Sequence, residues 1–426
     1  MELDLTKIKK IFFIGIGGIG ISALAKMALS QGIEVSGVND DESPKTLDSL
    51  RASGADIKMS KVGFDIPETD LYVYSDAWLY RGPEIIENAK ETGKPVLSYF
   101  EALGIFAKKY KVIAISGTHG KTTTTAMIAE ILTEAGLDPT VIVGSFIKKF
   151  NSNFRKGNGE YLVVEADEYN KHFLNFNPYI TVVTNIEVDH LDCYKDLADI
   201  QNAFDKLLSQ SENKILASPV GSGSMDYTRY LAKVPKLSIL GEHNRMNAAA
   251  ALAVADLLHI KEDVAQKSLA QFSGTWRRLE KRGETENKTI IYDDYAHHPT
   301  EIKASLEALR ELYPIGEKKI TVIFQPHLYS RTKALFNDFA KSFKGADNIY
   351  LLPIFFARET RDESISSEKL AQAICLAGDK AKAFPDFESA ESFIKGLNFG
   401  ENDVFVTMGA GEAYKIADKV FKLPLF

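Results

Sequence analysis

The strongest constraint on the fold is a pair of glycine-rich turns, each placed between a strand-like run and a helical run. The first turn lies at the end of the apolar run Lys10–Ile16 and precedes a helical run over Gly20–Ser30. The second follows Lys111–Ile115 and precedes Thr122–Ala135. A strand, a glycine turn and a helix in this order begin a βαβ unit, and such units build parallel sheets. The sequence therefore predicts an α/β fold.

The same alternation of strand and helix patterns continues along the whole chain. At roughly 150 residues per domain, 426 residues are enough for about three domains. Breaks in the pattern predict the domains 1–106, 107–272 and 273–426. Further strands are predicted at Glu34–Val38, Leu71–Tyr74, Tyr161–Val164, Ile180–Val183, Thr289–Tyr292, Ile320–Phe324 and Asp403–Thr407, and further helices at Pro83–Thr92, Asn247–Leu258 and Glu301–Glu311.

Composition excludes several classes of protein. Hydrophobic residues make up 45% and charged residues 26%, which is typical of globular proteins. No apolar run approaches the roughly 18–20 residues of a membrane-spanning helix, and no signal peptide is visible. Two cysteines, Cys193 and Cys375, cannot build a disulfide framework. The net charge of −7 argues against duplex nucleic acid. We expect a cytoplasmic protein with no membrane or nucleic-acid partner.

The first turn has the G-x-G-x-x-G pattern of a diphosphate-binding loop. Gly15 permits the tight turn, Gly17 lets the backbone approach a pyrophosphate, and Gly20 lets the helix pack closely. Asp40 follows the second strand, where an acidic side chain could hold a ribose. The remaining predicted ligand contacts of this loop are Gly18 and Ile19. The pattern is consistent with NAD or with a nucleotide sugar such as a UDP-sugar, and the alternative is a packing turn that binds nothing.

The second turn resembles the triphosphate-binding loop of P-loop proteins. Its glycines allow backbone N–H groups to face phosphate oxygens. Lys121 is expected to reach the β- and γ-phosphates of ATP, and the Thr122 hydroxyl to ligate Mg²⁺. Ile115 stands where the strict pattern has its first glycine. The predicted ATP contacts are Gly117, Thr118, His119, Gly120, Lys121, Thr122 and Thr123.

Two polar clusters follow buried strands, at the edge where open α/β sheets bind their ligands. One contains Glu168 and the other contains His190. Carboxylates suit a hard divalent cation, and histidine is a less typical ligand. Beside a triphosphate loop, these two residues are predicted to bind Mg²⁺ together with Thr122.

Seven segments of the chain occur in the order seen in the Mur ligases of peptidoglycan synthesis, and the sequence resembles that family from about residue 10 to residue 415. The segments are GTHGKTT, EADE, TNIEVDHLDCY, GEHNRMNAAAA, FSGTWRR, DDYAHHPTEI and FQPHLYSRT. The resemblance implies three domains: a Rossmann-like domain for the UDP-sugar, a central ATPase and a Rossmann-like domain that receives the amino acid.

The resemblance also assigns residues in the second half of the chain. It implies that Asn244 and Asn247 contact adenine, and that Arg278 and Asp294 contact the nucleotide. It places Tyr295, His297, His327 and Arg331 at the substrate carboxylate and the incoming amine, with Lys121, His297, His327 and Arg331 in catalytic roles. His297 and His327 are both candidates to accept the proton of the amine.

The chain departs from the usual family motifs at several points. Tyr74–Trp78 replaces a Ser-Ser-Ala stretch, and Ser98-Tyr99-Phe100-Glu101 replaces Arg-Ala-Glu. The segment Ile354–Glu359 lacks the usual Tyr-Pro, and Glu412 stands where Asp is common.

Within the family, GIGGIGISALA, DDYAHHPTE and FQPH-x-YSRT favour the member that joins L-alanine to the lactyl carboxylate of UDP-N-acetylmuramate through an acyl phosphate, with ATP and Mg²⁺. We expect a monomer or a weak homodimer. Three alternatives remain: a recycling ligase that attaches a tripeptide, an NAD-dependent oxidoreductase, and a nucleotide-binding module without turnover.

Overall fold

The structure, a computed structural model, describes residues 3–41, 44–60, 65–217, 223–356 and 359–423. These residues form three sheets of five, seven and six strands, with helices between the strands. The α/β fold predicted from the sequence is confirmed. The segment Ile354–Glu359 departs from the usual family motif, and two of its residues, Ala357 and Arg358, lie outside the described residues.

The first sheet is entirely parallel and has the strand order β3-β2-β1-β4-β5. Its strand order reverses at β1, because β2 and β4 lie on opposite sides of it. Ligands of open α/β sheets bind at such a reversal, beyond the carboxyl ends of the strands. The elements are β1 (Lys10–Ile14), α1 (Ile19–Ser30), β2 (Glu34–Asn39), α2 (Pro44–Ala52), β3 (Asp56–Met59), β4 (Leu71–Tyr74), α3 (Trp78–Arg81), α4 (Pro83–Glu91), β5 (Val96–Ser98) and α5 (Tyr99–Ala107).

The second sheet has the order β12-β11-β10-β6-β9-β7-β8 and is parallel except for the pair β7–β8. Its order reverses at β6, between β10 and β9, so the second glycine turn also lies at a reversal. The elements are β6 (Lys111–Ser116), α6 (Lys121–Glu134), β7 (Thr140–Ile147), β8 (Ser152–Arg155), β9 (Tyr161–Glu165), β10 (Ile180–Val183), α7 (Leu197–Ser209), β11 (Asn213–Leu216), β12 (Ser224–Asp226), α8 (Glu242–Leu257) and α9 (Glu262–Gln271).

The third sheet has the order β13-β14-β18-β15-β16-β17, with one antiparallel pair, β13–β14. The elements are β13 (Glu280–Glu284), β14 (Ile290–Asp294), α10 (Pro299–Leu312), β15 (Lys319–Phe324), α11 (Tyr329–Ala334), α12 (Phe336–Ala340), β16 (Asn348–Leu351), α13 (Ser367–Leu376), β17 (Ala381–Ala383), α14 (Phe387–Lys395), β18 (Asp403–Met408) and α15 (Tyr414–Phe421). Short 3₁₀ helices occur at Leu5–Lys7, Tyr169–Asn175 and Tyr227–Lys233.

The chain divides into two compact units. The first comprises Met1–Val188, Cys193–Leu237 and Met246–Ser273, and the second Asp189–Asp192, Ser238–Arg245 and Gly274–Phe426. In the first unit, one hydrophobic cluster contains residues from both sheets, among them Phe13 of β1 and Leu162 of β9. The first two sheets therefore share a core. The finer division into the three predicted domains stays a prediction.

The central alanine-rich helix begins earlier than its pattern predicts. We expected a helix from Asn247, whereas α8 begins at Glu242. Gly241, with a φ of +94°, ends the preceding loop in a conformation that favours glycine, and an acidic residue in the first turn favours the helix start. Within the described residues, no helix has the length and apolar character needed to cross a membrane.

Candidate active site

The first glycine loop is held by the neighbouring strand β2, through Val38 and through Asn39, the last residue of that strand. The amides of Gly15 and Ile16 donate to the carbonyl of Val38, at 2.8 and 3.1 Å. The Gly17 amide donates to Oδ1 of Asn39 at 3.0 Å. The Thr46 hydroxyl donates to the Gly17 carbonyl at 2.8 Å. These bonds fix the loop beyond the carboxyl end of β1, as the predicted diphosphate site requires.

The acidic residue predicted for a ribose has a second role in the structure. Asp40 follows β2, and its carboxylate lies 3.5 Å from the guanidinium of Arg81 at the end of α3. Its neighbour Asn39, rather than Asp40, contacts the glycine loop. The position of Asp40 at the strand end agrees with the prediction, and its ligand contact stays a prediction.

Two aromatic residues that the sequence analysis did not assign to the site pack on this loop. A Cβ atom at Gly15 would lie 2.3 Å from Nε1 of Trp78, and one at Gly20 would lie 3.0 Å from the ring and hydroxyl of Tyr99. Both aromatics belong to segments that depart from the family motifs, and that departure was the available signal. Trp78 therefore leaves space only for glycine at position 15, and Tyr99 packs tightly against position 20.

The second glycine loop is shaped by the segment after β10. The amide of Thr118 donates to the carbonyl of Asn185 at 3.0 Å, and that of His119 donates to Oδ1 of Asn185 at 2.9 Å. The Thr184 hydroxyl donates to the His119 carbonyl at 2.5 Å. The first helical hydrogen bond of α6 runs from Thr124 N to Gly120 O at 3.0 Å.

These bonds identify the amides that suit a phosphate. Because Asn185 engages the amides of Thr118 and His119, the donors best placed for phosphate oxygens are the first-turn amides of Lys121, Thr122 and Thr123, which cannot bond within the helix. Asn247 lies against the same loop, since a Cβ at Gly120 would be 2.4 Å from its Oδ1.

Lys121 carries the charge of this loop. Its ammonium donates to the carbonyls of Gly117 and Thr118, at 2.6 and 3.1 Å, and lies 2.8 Å from Oε2 of Glu168. Burial lowers the pKa of Lys121, but the charges of Glu168 and Asp167 outweigh burial and hold the pKa above its ordinary value. The lysine is therefore cationic at neutral pH, and its contact with the phosphates of a nucleotide stays a prediction.

The other side of the loop offers oxygen ligands for a cation. The Thr122 hydroxyl donates to both carboxylate oxygens of Glu165, at 3.0 Å each, and Glu165 also accepts from Gly144 N at 2.8 Å. Because its hydrogen points to Glu165, the Thr122 oxygen presents lone pairs, the form that ligates a hard cation. With the carboxylate of Glu168, this donor set fits Mg²⁺. His190 belongs to the second unit, where its Nε2 lies 3.7 Å from Asp189, and its metal role stays a prediction.

In the second unit, the ends of β14 and β15 bring predicted site residues together. The imidazole rings of His297 and His327 have centroids 5.7 Å apart, and His327 stacks on Phe355 at 5.5 Å. The guanidinium of Arg331 donates to Nδ1 of His327 at 3.2 Å. Nε and Nη2 of Arg331 also bind the two carboxylate oxygens of Asp189, at 2.9 and 3.2 Å. The partnership between Asp189 and Arg331 was not predicted.

The two histidines present different nitrogens. Nδ1 of His297 lies 2.9 Å from the carbonyl of Tyr295, and a carbonyl oxygen can only accept, so the ring hydrogen is on Nδ1 and Nε2 is the basic atom. Nδ1 of His327 accepts from Arg331, so in the neutral ring the hydrogen is on Nε2. Burial lowers the pKa of His297 to about 4, although the Glu301 carboxylate opposes this. His297 is therefore neutral at pH 7.

The remaining predicted nucleotide contacts also lie in the second unit. Arg278 is stacked over the ring of Tyr295 at 5.0 Å. Asp294 ends β14, accepts a hydrogen bond from the Ser305 hydroxyl, and has a pKa that burial raises to about 6. Asn244 donates to the Leu240 carbonyl at 2.6 Å. Their contacts with a nucleotide stay predictions.

Comparison with known proteins matches three family models to this chain. They are "Mur ligase family, catalytic domain" at residues 10–111, "Mur ligase middle domain" at 115–233 and "Mur ligase, glutamate ligase domain" at 277–411. Together they cover most of the chain, with one model on each of the three sheets.

Similar proteins agree with the family models over nearly the full length. A UDP-N-acetylmuramate–L-alanine ligase of Caldanaerobacter subterraneus is 38% identical, with 98% of each chain covered. One of Clostridium novyi is 39% identical, with 96% of each covered. The crystal structure of UDP-N-acetylmuramate-alanine ligase MurC from Thermotoga maritima matches with a TM-score of 0.79 and 28% identity, covering 97% of this chain and 98% of that one.

A murein peptide ligase from Psychrobacter arcticus shares the fold, with a TM-score of 0.70 and 23% identity over 97% of this chain and 98% of that one. The predicted class of enzyme, an ATP-dependent ligase, is confirmed by the family models and the relatives together. The chain belongs to the Mur ligase family.

Proposed function

We propose that this protein joins L-alanine to the lactyl carboxylate of UDP-N-acetylmuramate, with hydrolysis of ATP to ADP and phosphate. The observation that carries the proposal is the pair of glycine loops in the first unit, each at the point where the strand order of its sheet reverses. One loop suits the diphosphate of a UDP-sugar and the other suits a triphosphate. The relatives with this activity match the chain over nearly its full length.

The chemistry begins with a poor electrophile. An oxygen of the lactyl carboxylate attacks the γ-phosphorus of ATP, and the bond from this phosphorus to the β-γ bridging oxygen breaks. ADP departs, and the carboxylate has become an acyl phosphate. Lys121 and the first amides of α6 stabilise the charge on the phosphoryl oxygens during this step. Thr122 and Glu168 would hold Mg²⁺, with His190 as a further predicted ligand. When bound, the metal offsets the negative charge of the phosphates.

The second step forms the amide. The nitrogen of L-alanine attacks the acyl carbon, and phosphate leaves from the tetrahedral intermediate. Nε2 of His297 accepts the proton that the nitrogen must lose, because it is the basic atom of a ring that is neutral at pH 7. An imidazole with so low a pKa takes this proton once the new C–N bond has made it acidic. His327 presents an N–H group at Nε2, which suits contact with the carboxylate of the amino acid. The positive charge of Arg331 suits the same carboxylate.

Two further proposals concern where and how the protein acts. We place it in the cytoplasm, where ATP is made, and the two cysteines are consistent with a reducing compartment. We propose a monomer or a weak homodimer that binds neither membrane nor nucleic acid.

The alternatives explain fewer observations. An NAD-dependent oxidoreductase leaves the second loop, with its Lys121–Glu168 pair, without a role. A recycling ligase for tripeptides would share this fold, but the relatives of 37–39% identity are named as L-alanine ligases. A binding module without turnover would not require the histidine pair His297 and His327.

The deciding experiment measures phosphate release from ATP and Mg²⁺ with UDP-N-acetylmuramate and each amino acid or tripeptide in turn. We expect release that requires both the UDP-sugar and L-alanine. Release with the tripeptide L-Ala-γ-D-Glu-meso-diaminopimelate and not with L-alanine would favour the recycling ligase. Absence of release with every acceptor would contradict the proposed function.

A further inference from the structure

One further inference rests on the proposed function and concerns Tyr99, a residue to which neither glycine loop pattern draws attention. In the proposed reaction, the carboxylate of a ligand held by the first loop meets the terminal phosphate of a ligand held by the second loop. Both loops lie in the first unit. A side chain that contacts one loop and faces the strand end beside the other is therefore close to the reacting atoms.

Tyr99 has this placement. Its ring and hydroxyl lie 3.0 Å from where a Cβ at Gly20 would be, at the start of the helix that follows the first loop. Its phenol also interacts electrostatically with Glu165 and Asp167, at the end of β9. Glu165 in turn binds Thr122 at the start of the helix after the second loop. Tyr99 thus contacts the start of α1 and is near enough to the carboxylates at the end of β9 to feel their charge.

The position of Tyr99 is fixed from both sides. It is the first residue of α5, and a capping box between Ser98 and Glu101 stabilises the N-terminus of this helix. The next residue, Phe100, stacks on the ring of His172 with centroids 3.8 Å apart, and Nε2 of His172 lies 2.8 Å from Asp76. These contacts join the first sheet to the 3₁₀ helix after β9, so the tyrosine has little freedom to move.

The hydroxyl of Tyr99 is a donor for which the described residues supply no acceptor. Among the residues that the structure describes, it makes no hydrogen bond. Burial first, and then the charges of Glu165 and Asp167, raise the pKa of Tyr99, so the phenol keeps its hydrogen at neutral pH. A carboxylate that approaches these acidic side chains is repelled by them, and a neutral donor at this point offsets the repulsion.

We propose that the Tyr99 hydroxyl donates a hydrogen bond to the carboxylate of the acceptor and so distinguishes UDP-N-acetylmuramate from UDP-sugars that lack this group. The matched ligand is UDP-N-acetylglucosamine, which has the same nucleotide and sugar but no lactyl ether. The discrimination between the two ligands measures the contact, since packing of Tyr99 against Gly20 affects both alike.

The test is calorimetric binding of both ligands to the full chain, without ATP, for the wild type, Tyr99→Phe and Tyr99→Leu. We expect loss of the hydroxyl to weaken UDP-N-acetylmuramate by about 10- to 100-fold, the range for a hydrogen bond to a charged group. Binding of UDP-N-acetylglucosamine should change by less than about twofold in Tyr99→Phe. Two variants are used so that one poorly folded protein does not decide the result.

Tyr161→Phe is the control, because Tyr161 begins β9, at the end of the strand opposite Glu165. It should bind both ligands as the wild type does. Unchanged binding of UDP-N-acetylmuramate by Tyr99→Phe, or an equal loss for both ligands, would overturn the proposal. Because the readout is binding, it is separate from turnover: a wild type that releases no phosphate contradicts the proposed function, whatever Tyr99 does.

Discussion

The carboxylate of Asp189 holds the guanidinium of Arg331 through two hydrogen bonds, 2.9 Å to Nε and 3.2 Å to Nη2. Both side chains are buried, with 9% and 5% of their surfaces exposed. Burial alone would raise the pKa of Asp189, but the positive charge of Arg331 outweighs it and holds the pKa well below its usual range. This pair directs the third nitrogen of Arg331 at His327 and so orients two predicted substrate contacts.

The first prediction follows from this pair. Asp189→Ala leaves a buried guanidinium without its counter-charge, and breaking such a pair costs about 3–5 kcal/mol. We expect a lower urea midpoint for the second unit and a raised KM for L-alanine. Asp189→Asn should cost less stability, because one acceptor oxygen remains.

Asp362→Ala is the matched control for Asp189→Ala. Asp362 pairs with Lys333 at 2.9 Å, but both side chains are more than a third exposed. Solvent screens such pairs, so little change in stability is expected. Equal effects of the two substitutions would contradict a special role for Asp189.

Lys121 supplies the second prediction. Lys121→Ala removes the cation at the phosphate loop, and turnover should fall by about 10²–10³-fold, as for loss of one preorganised charge-stabilising group. It also leaves Glu168 buried without its lysine, so the melting temperature should fall. The double variant Lys121→Ala, Glu168→Gln should regain stability but not activity. Lys90→Ala, at an exposed pair with Glu87, is the control. A Lys121→Ala enzyme with half of the wild-type rate would refute the assignment.

The third prediction concerns Mg²⁺. Removal of the metal with EDTA should stop turnover, and Glu168→Gln should raise the Mg²⁺ concentration for half-maximal rate by about tenfold or more. His190→Ala, measured separately, should do the same if it is a ligand. Glu130→Gln is the control, since Glu130 is a buried glutamate on α6 that lies 3.9 Å from Lys149. An unchanged Mg²⁺ requirement in Glu168→Gln would make this residue a structural partner of Lys121.

The elements that carry the site could be predicted from the sequence, because their signals are local. Leu71–Tyr74 and Ile180–Val183 were predicted with the bounds that the structure has. Both glycine loops follow a strand and precede a helix within a few residues, so their patterns are complete within about ten residues. These signals fixed the α/β class and the order of the loops along the chain.

The partners of the site residues could not be predicted in the same way. Asp189 and Arg331 are 142 residues apart, and no periodicity relates such positions. The choice of Asn39 over Asp40 at the first loop depends on the direction in which each side chain leaves the end of β2, which the acidic pattern does not encode. Tyr99 was visible only as a departure from a family motif.

The fourth prediction is a pair of opposite pH effects in the second unit. The pKa of His297 is lowered to about 4 in the folded state, against 6.5 unfolded. Below pH 6.5 the unfolded chain binds the proton first, so this group destabilises the fold as the pH falls towards 4. The pKa of Asp294 is raised from 3.8 to about 6 in the folded state. Protonated Asp294 therefore stabilises the fold fully below pH 3.8, and this contribution to the free energy of unfolding is lost as the pH rises through 6.

Because the two effects oppose each other between pH 4 and 6, single variants are needed to observe them. Relative to the wild type, His297→Gln should gain stability as the pH falls from 6.5 to 4. Asp294→Asn should gain relative stability as the pH rises from 4 to 6. Urea unfolding at a series of pH values measures both. Parallel pH curves for His297→Gln and the wild type would contradict the lowered pKa of His297.

The last prediction tests the first loop at Gly17. A Cβ at this position would lie 2.7–2.9 Å from the amide group of Asn39, so Gly17→Ala must displace that side chain and lose the bond from Gly17 N to Oδ1. Loss of this bond and of the backbone approach to the diphosphate should weaken UDP-N-acetylmuramate by about tenfold or more. Binding of ATP should stay within twofold, because the second loop is unchanged. Gly400→Ala is the control, since its new methyl group would meet nothing closer than 4.0 Å. Normal UDP-sugar binding by Gly17→Ala would show that the first loop packs against Asn39 without holding the diphosphate.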